Sequence, residues 1–438
     1  MRIRWIQLII LLMLVFIGSV RPGEAESRRS LDDCIQAALR NQPSMRAALA
    51  GLEARKGREK QAVSHYLPQV TASTGYSEAH QNGSAFGDTI TKSYNTSLSV
   101  NQTLYDFGRT GNAYDSACLN TQSAALDSIR VKQDVIFNVK QAYFDLLQSQ
   151  RLVNVAQKTL EQSERHLKQA EAFYRAGSKP VFDVTRAEVE VNSMQLNLIN
   201  ATNRMQISGM ALNNAMGVDP EDPIEIDDSL TVMPTLPFSL ETIKAEALKN
   251  RPDLRKTESD IASAQAAIRA EKADYLPAII LSGSYDWANG TAEMGMFQGD
   301  LASGWNAGIT LSLPIYEGGL TSGKVSEAKS NLHLLEAQRD LLRQTIRVDV
   351  CKYYADMESA RVRIKVMESA LQKAEKNFDI AQGRYEEGVG PYIDVTDAQL
   401  SSVKAETDYV QSFYDCQLSA ARLLKSMGKG EQLEGAVE

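Results

Sequence analysis

Trp305-Asn306-Ala307-Gly308-Ile309-Thr310-Leu311-Ser312-Leu313-Pro314-Ile315-Tyr316 alternates apolar with polar or small residues, and the chain from Lys324 to Gln382 then contains neither glycine nor proline. In the first stretch Trp305, Ala307, Ile309, Leu311, Leu313 and Ile315 fall on one side, and Asn306, Gly308, Thr310 and Ser312 on the other. A period of two with aromatics toward the ends is the pattern of a barrel strand, apolar toward lipid and polar toward a lumen. Pro314 fits near a strand end, where a missing N–H is tolerated. A soluble hairpin packed on helices reads the same way in isolation, so the neighbouring segments must decide. The second stretch is helical, and at 1.5 Å per residue it reaches roughly 100 Å. Globular helices average about 11–12 residues. Such a length means a coiled coil or a spanning tube built by lateral packing.

Working outward, the same plan is found about 210 residues earlier. Ile279, Leu281, Gly283, Tyr285 and Trp287 read as the partner strand, and Tyr94, Thr96, Leu98 and Val100 alternate with Asn95, Ser97, Ser99 and Asn101 in the first copy. Tyr66-Leu67-Pro68 recurs as Tyr275-Leu276-Pro277, and Ala215-Met216-Gly217 as Ser426-Met427-Gly428. Asn112–Ala176 is a second stretch without glycine or proline, with apolar residues at three and four spacing from Val135 to Leu160. Both stretches end at a tight tip. Tyr174-Arg175-Ala176-Gly177 precedes Pro180-Val181-Phe182-Asp183-Val184-Thr185, and Tyr385-Glu386-Glu387-Gly388 precedes Pro391-Tyr392-Ile393-Asp394-Val395-Thr396. Glycine just after one helix and proline at the start of the next make a helical hairpin. A unit present only twice is no solenoid; it suggests two pseudo-equivalent halves around a common axis.

The expected division is a signal peptide at 1–25, repeat one at 26–217, an irregular belt linker at 218–238, repeat two at 239–428 and a short tail at 429–438. Repeat one holds a hairpin at about 69–107, a long helix at about 111–176 and a return helix at about 181–216; repeat two places these at about 278–316, 321–387 and 391–427. Polar loops are expected near Glu78–Lys92 and Asn289–Ser303. Arg2, Arg4, the apolar run Ile6–Val20 and Gly23-Glu24-Ala25 have the form of an export signal. Its removal takes away three arginines and one glutamate, so the formal net charge of −8 becomes −10. An acidic exported chain without a basic patch excludes nucleic acid as a partner. Cys34, Cys118, Cys351 and Cys416 show no metal spacing, and the four histidines are scattered. No nucleophile elbow, phosphate loop or zinc signature is present. The sequence predicts no catalytic residue, no cofactor and no metal.

Two hairpins supply four strands. About eight are needed for even the smallest membrane barrel, and open edges are not tolerated in hydrocarbon. Several copies must therefore share one barrel: a dimer gives eight strands, a homotrimer twelve with an open lumen. Here the duplicated strand-pair and long-helix plan, Tyr-Leu-Pro before each hairpin, and Tyr-x-x-Gly followed by Asp-Val at each tip resemble the TolC family of outer-membrane efflux proteins. The resemblance covers about residues 28–428. It implies a mixed α/β membrane fold: a trimeric, twelve-stranded β-barrel in the outer membrane, four strands per chain, continuous with a periplasmic α-helical barrel. It also implies a periplasmic adaptor protein and an inner-membrane transporter as partners, either a proton-driven pump of the resistance-nodulation-division class or an ABC transporter, with outer-membrane lipid around the barrel. The function implied is a passive duct in tripartite efflux or type I secretion. The alternative is a periplasmic coiled-coil adaptor or scaffold, which shares long hairpins but does not need membrane-type strands.

Carried onto this chain, the resemblance makes Asp394 and Asp397 a pore constriction, two stacked acidic rings in a trimer. Helix capping is the local alternative for Asp394, whose counterpart in repeat one is Asp183. Tyr385 and Asp183 match the positions that link neighbouring coiled coils and keep the entrance shut; a tyrosine that only packs its own tip is the local alternative. The arginine that reinforces such links would fall at Gly390, which offers no side chain, so either the closed state is weaker or Lys179 or Arg186 substitutes. Gly177, Ser178 and Lys179 in one tip, with Gly388, Val389 and Gly390 in the other, match the adaptor-docking tips.

Overall fold

The computed structural model describes residues 28–84, 87–228, 239–292 and 302–430. The signal segment, most of the tail, part of the linker and much of the second polar loop lie outside these residues. Each repeat begins with two short helices, α1 (Leu31–Asn41) and α2 (Pro43–Ser64), then α5 (Leu240–Asn250) and α6 (Pro252–Ala273). Ser30 and Ser239 cap α1 and α5 through their hydroxyls, and Ser30 with Asp33 completes a reciprocal capping box. Proline at the first position then starts α2 and α6, where its missing N–H costs nothing.

Strands β1 (Gln69–Ser84), β2 (Gly87–Tyr105), β3 (Ala278–Ala292) and β4 (Ala302–Ser312) form one antiparallel sheet in the order β1-β2-β3-β4. The register puts Val70, Ala72, Tyr76, Tyr94, Leu98, Val100, Leu281, Tyr285, Trp305, Ile309 and Leu311 on one face, since directly paired residues share a side. The other face carries Ser73, Ser77, Ser93, Ser97, Asn101, Ser284 and Asn306, with Ser73–Ser97 and Ser77–Ser93 hydroxyl pairs at 2.9 and 2.6 Å. The alternation read from the sequence is thus a real division of faces. Two differences are physical. The span Glu78–Lys92 is largely strand, with Glu78 opposite Lys92, because ladder pairing satisfies backbone groups whatever the side chains. β4 ends at Ser312 rather than near 316, because Pro314 has no N–H to offer the ladder.

Two 67-residue helices follow, α3 (Arg109–Arg175) and α7 (Leu320–Glu386), each returning as α4 (Val181–Met216) or α8 (Tyr392–Ser426). Below the middle of the molecule the lateral order is α4-α3-α8-α7; above it, α2-α3-α6-α7. The two layers meet at an equator where α4 abuts the α1–α2 corner and α8 the α5–α6 corner. Gly217 and Gly428 make that approach possible: both have positive φ, and a Cβ would lie 3.0 Å from the Asn41–Gln42 backbone or 2.8 Å from Asn250. These are the Met-Gly and Asn-x-Pro motifs of the two repeats, brought into contact. Around them lie the main cores, one of Cys34, Val139, Tyr143, Leu147, Leu212 and Met216, the other of Ile243, Leu254, Val350, Leu423 and Met427. Tyr143 donates its hydroxyl to Asp227 O at 2.6 Å and so pins the inter-repeat belt.

Candidate functional site at the helical tip

Far from the equator, a third and smaller core joins all four lower helices where the hairpins turn. Ala170 of α3, Ala187 of α4, Phe378 and Tyr385 of α7, and Tyr392, Val395 and Ala398 of α8 bury one another. Each turn is set by a left-handed glycine after the helix, Gly177 at φ 71° and Gly388 at φ 77°, and by the extended proline, Pro180 or Pro391, that follows. Ser178 fastens the first turn by donating from its N–H and its hydroxyl to Phe173 O. In the second, the N–H groups of Val389 and Gly390 both reach Arg384 O.

Tyr385 is wholly buried. Its ring packs edge-on to Phe173 at 5.6 Å and tilted against Tyr392 at 5.3 Å. Its hydroxyl is buried with no hydrogen-bond partner among the described residues. Burial first, and the nearby Asp183 carboxylate second, push that hydroxyl up to about 12. Tyr385 and Asp183 are therefore neighbours that share a field, with no hydrogen bond between them within one chain. Lys179 crosses from the first tip to the second: its ammonium sits 5.2 Å from the Tyr385 ring centre and donates to Gly390 O at 3.4 Å. Gly390 itself is buried, and a Cβ there would crowd Arg384 at 3.2 Å. Gly177, Ser178, Gly388 and Val389 are exposed, Val389 to 68%.

Asp394 and Asp397 both point outward on α8 while Val395, Thr396 and Ala398 between and beside them are buried. Neither carboxylate takes a hydrogen bond or ion pair among the described residues, and no side chain caps α8. They are two unpaired charges on one exposed face.

Sequence reasoning missed the rest of this seam. Tyr392 donates to Glu190 of α4 at 3.2 Å, and Gln399 donates through Nε2 to Ser163 of α3 at 3.0 Å. His166 is buried edge-on to Phe378, and that burial holds its imidazole below the usual range. The available signal was the seven-residue spacing of Tyr392 and Gln399 along α8, which puts both on one stripe. A cavity of about 420 Å³ at the equator, lined by Arg130, Arg251, Asp134, Asp253 and Lys425, pairs its charges internally: Lys425 with Asp134 at 2.7 Å, Arg251 with Asp253 at 2.6 Å. No group of three or more metal-ligating side chains occurs among the described residues.

At the other end, the apolar sheet face carries two aromatic levels, Tyr76 with Tyr94 at 4.9 Å and Tyr105 with Phe107 at 4.7 Å. From Tyr94 to Tyr105 the strand advances about 36 Å, or about 25 Å at the usual barrel tilt, the height of an outer-membrane apolar band. The family model for outer membrane efflux proteins matches residues 34–218 and, a second time, 244–429. The chain belongs to the outer membrane efflux protein family.

Among curated relatives of this efflux protein, the outer membrane efflux protein BepC of Brucella suis is 24% identical over 94% of this chain and 88% of its own. The outer membrane protein TolC of Escherichia coli is 22% identical over 90% and 80%. The crystal structure of the Campylobacter jejuni CmeC outer membrane channel superposes with a TM-score of 0.81 at 18% identity, covering 91% of this chain and 86% of that one. The open-state MtrE channel of Neisseria gonorrhoeae gives 0.78 at 23%, covering 91% and 89%. The fold is that of the outer membrane channels. As a member of this family, the protein resides in the outer membrane, with strands in the bilayer and long helices reaching into the periplasm. Its relatives are channels rather than enzymes.

Proposed function

We propose that three copies of this efflux protein close into one conduit, a twelve-stranded barrel above a twelve-helix tube, that passively conducts cargo for a periplasmic adaptor and an inner-membrane transporter. The observation that carries the reading is a pair of matched open edges. The sheet stops at β1 and β4, whose outer backbone groups have no strand partner among the described residues, and every residue of β4 is exposed. The helical array stops at α7 on one flank and at α2 and α4 on the other. α7 exposes Leu334, Leu341, Val348, Ala355 and Val362 at seven-residue spacing; α4 exposes Phe182, Val189 and Leu196 at the same period, and Met210 two heptads further on, past Asn203. Seams of this kind are made to receive another helix. Two different edges on one chain join head to tail and close as a ring.

Within that tube Asp394 and Asp397 form acidic rings at the narrow end and favour cations. Tyr385 joins the adjoining coiled coils through its ring, packed on Phe173 and Tyr392 in the field of Asp183, and Lys179 supplies the cation that the family pattern puts at Gly390. The exposed Gly177, Ser178, Gly388 and Val389 offer the adaptor its docking tips, while Lys179 and Gly390 serve the bridge between them. Light scattering of detergent-purified protein, with planar-bilayer recording, tests the reading. Three chains per particle and a cation-preferring conductance are expected. A monodisperse single subunit, soluble without detergent, overturns it.

A further inference from the structure

The equatorial cavity of about 420 Å³ lies where the end of α8 meets the start of α6, and one of its charges is left over. Arg130 meets Asp134 at 2.8 Å and, outside the lining, Asp127 at 3.0 Å. Lys425 shares Asp134 at 2.7 Å, and Arg251 holds Asp253 at 2.6 Å and Asp349 at 3.6 Å. Arg422 is the exception. It lines the same cavity, is half-buried, and takes no hydrogen bond or ion pair among the described residues; it reaches Asp145 only through its field. Gln141 and the Tyr353 hydroxyl, half-buried in the same wall, are further donors with no hydrogen-bond partner among the described residues. A guanidinium, an amide and a phenol left free to donate suit an anion with two acceptor oxygens. Asp134, Asp253 and Asp349 stand in the walls and repel a doubly charged phosphate more than a singly charged carboxylate.

Carboxylates are also supplied beside it by the sequence. Just past α8, Gly428 at φ 75° reverses the backbone, and the N–H of Lys429 closes on Leu424 O at 3.0 Å. A Cβ on Gly430 would lie 3.4 Å from Gln133 and 3.7 Å from Lys425, so the last described residue rests on two residues of the cavity wall. The sequence continues Glu431-Gln432-Leu433-Glu434-Gly435-Ala436-Val437-Glu438, acidic and without a cation. We propose that the equatorial cavity is a carboxylate-binding site, with the Arg422 guanidinium as its main donor and Gln141 and Tyr353 beside it. Its occupant is a glutamate of this chain's own tail or a small free carboxylic acid, one chemistry from two sources.

Calorimetric titration of the full-length protein in detergent with N-acetylglutamic acid α-amide, which carries one side-chain carboxylate, tests the site. Glu431→Gln, Glu434→Gln and Glu438→Gln together neutralise the tail without shortening the chain. The neutralised chain is expected to bind the probe with a Kd on the order of 1 mM, the strength of one charge-assisted pair with auxiliary donors. Binding at least about threefold weaker in the parent assigns the tail as occupant, because a tethered carboxylate competes at millimolar effective concentration. A smaller difference assigns a free acid. In the neutralised background Arg422→Gln is expected to weaken binding about tenfold or more, and Arg422→Lys, which keeps the charge and loses the planar fork, by less. Tyr353→Phe, which keeps the ring and removes one donor, is expected to weaken it about threefold. Melting temperatures equal to that of the neutralised chain show that the fold is kept. No saturable heat in the neutralised chain, or an affinity within about twofold of it after Arg422→Gln, overturns the site. Should Arg422→Gln fail to fold, Tyr353→Phe decides, and unchanged affinity there overturns the site as well.

Discussion

Cys34 shows how burial decides the chemistry of a single residue. It is fully buried in the equatorial core, and burial raises its thiol to about 11, so almost no thiolate exists at neutral pH. Cys416 is also buried, Cys118 is half-buried and Cys351 lies exposed on α7; none of the four forms a disulfide. A maleimide at pH 7.5 is expected to modify Cys118 slowly in the folded protein, and Cys34 and Cys416 only after unfolding. Mass spectrometry of peptides from a timed reaction checks the order, and early label on Cys34 would contradict the burial. At the same scale, Asp394 and Asp397 could be placed on one face from their spacing alone. Glu190 could not be picked out, because nothing near it in sequence marks it as the partner of a tyrosine about two hundred residues away.

At the scale of elements, the equatorial corners set the geometry that everything below them inherits. Gly428 sits at φ 75° with backbone 2.8 Å from where a Cβ would be, whereas Gly388 has a similar φ of 77° and open space around it. Gly428→Ala is expected to cost about 1–3 kcal/mol more than Gly388→Ala, since only the first adds a backbone collision to the strained φ. Thermal melting of the two variants in detergent decides it, and equal melting temperatures would mean the corner relaxes freely. The long helices were legible as elements because a stretch without glycine or proline has few other fates. Strand ends were less so. Polar residues between Glu78 and Lys92 suggested a loop, yet backbone pairing carries the ladder through them. Pro314 lies just beyond the end of β4, because it has no N–H to give the ladder.

For the whole molecule, the exposed apolar stripes on α4 and α7 are the features a lone subunit could least sustain. Val189→Asp and Val362→Asp each place a charge in the proposed seam between copies, where burial without a partner is costly. Each is expected to convert the heat-resistant trimer band to monomer at a lower temperature than the parent, by 10 °C or so if about 2–3 kcal/mol is lost per interface. Semi-native gels over a temperature series measure this, and unchanged dissociation would remove both edges from the interface.

From sequence alone came the duplication, the change of period from two to helical at each repeat, the tight tips and the alternation of barrel strands. All of these are local, and each is written in neighbouring residues by backbone geometry and the spacing of apolar side chains. The tertiary structure alone decided that β2 pairs with β3, that Met-Gly corners lock onto Asn-x-Pro corners, and that Lys179, Glu190, Tyr385 and Tyr392 meet across two hairpins. Those contacts depend on which helices and strands become lateral neighbours. That choice is made by burying whole faces at once, a property of the packed set that no single segment carries.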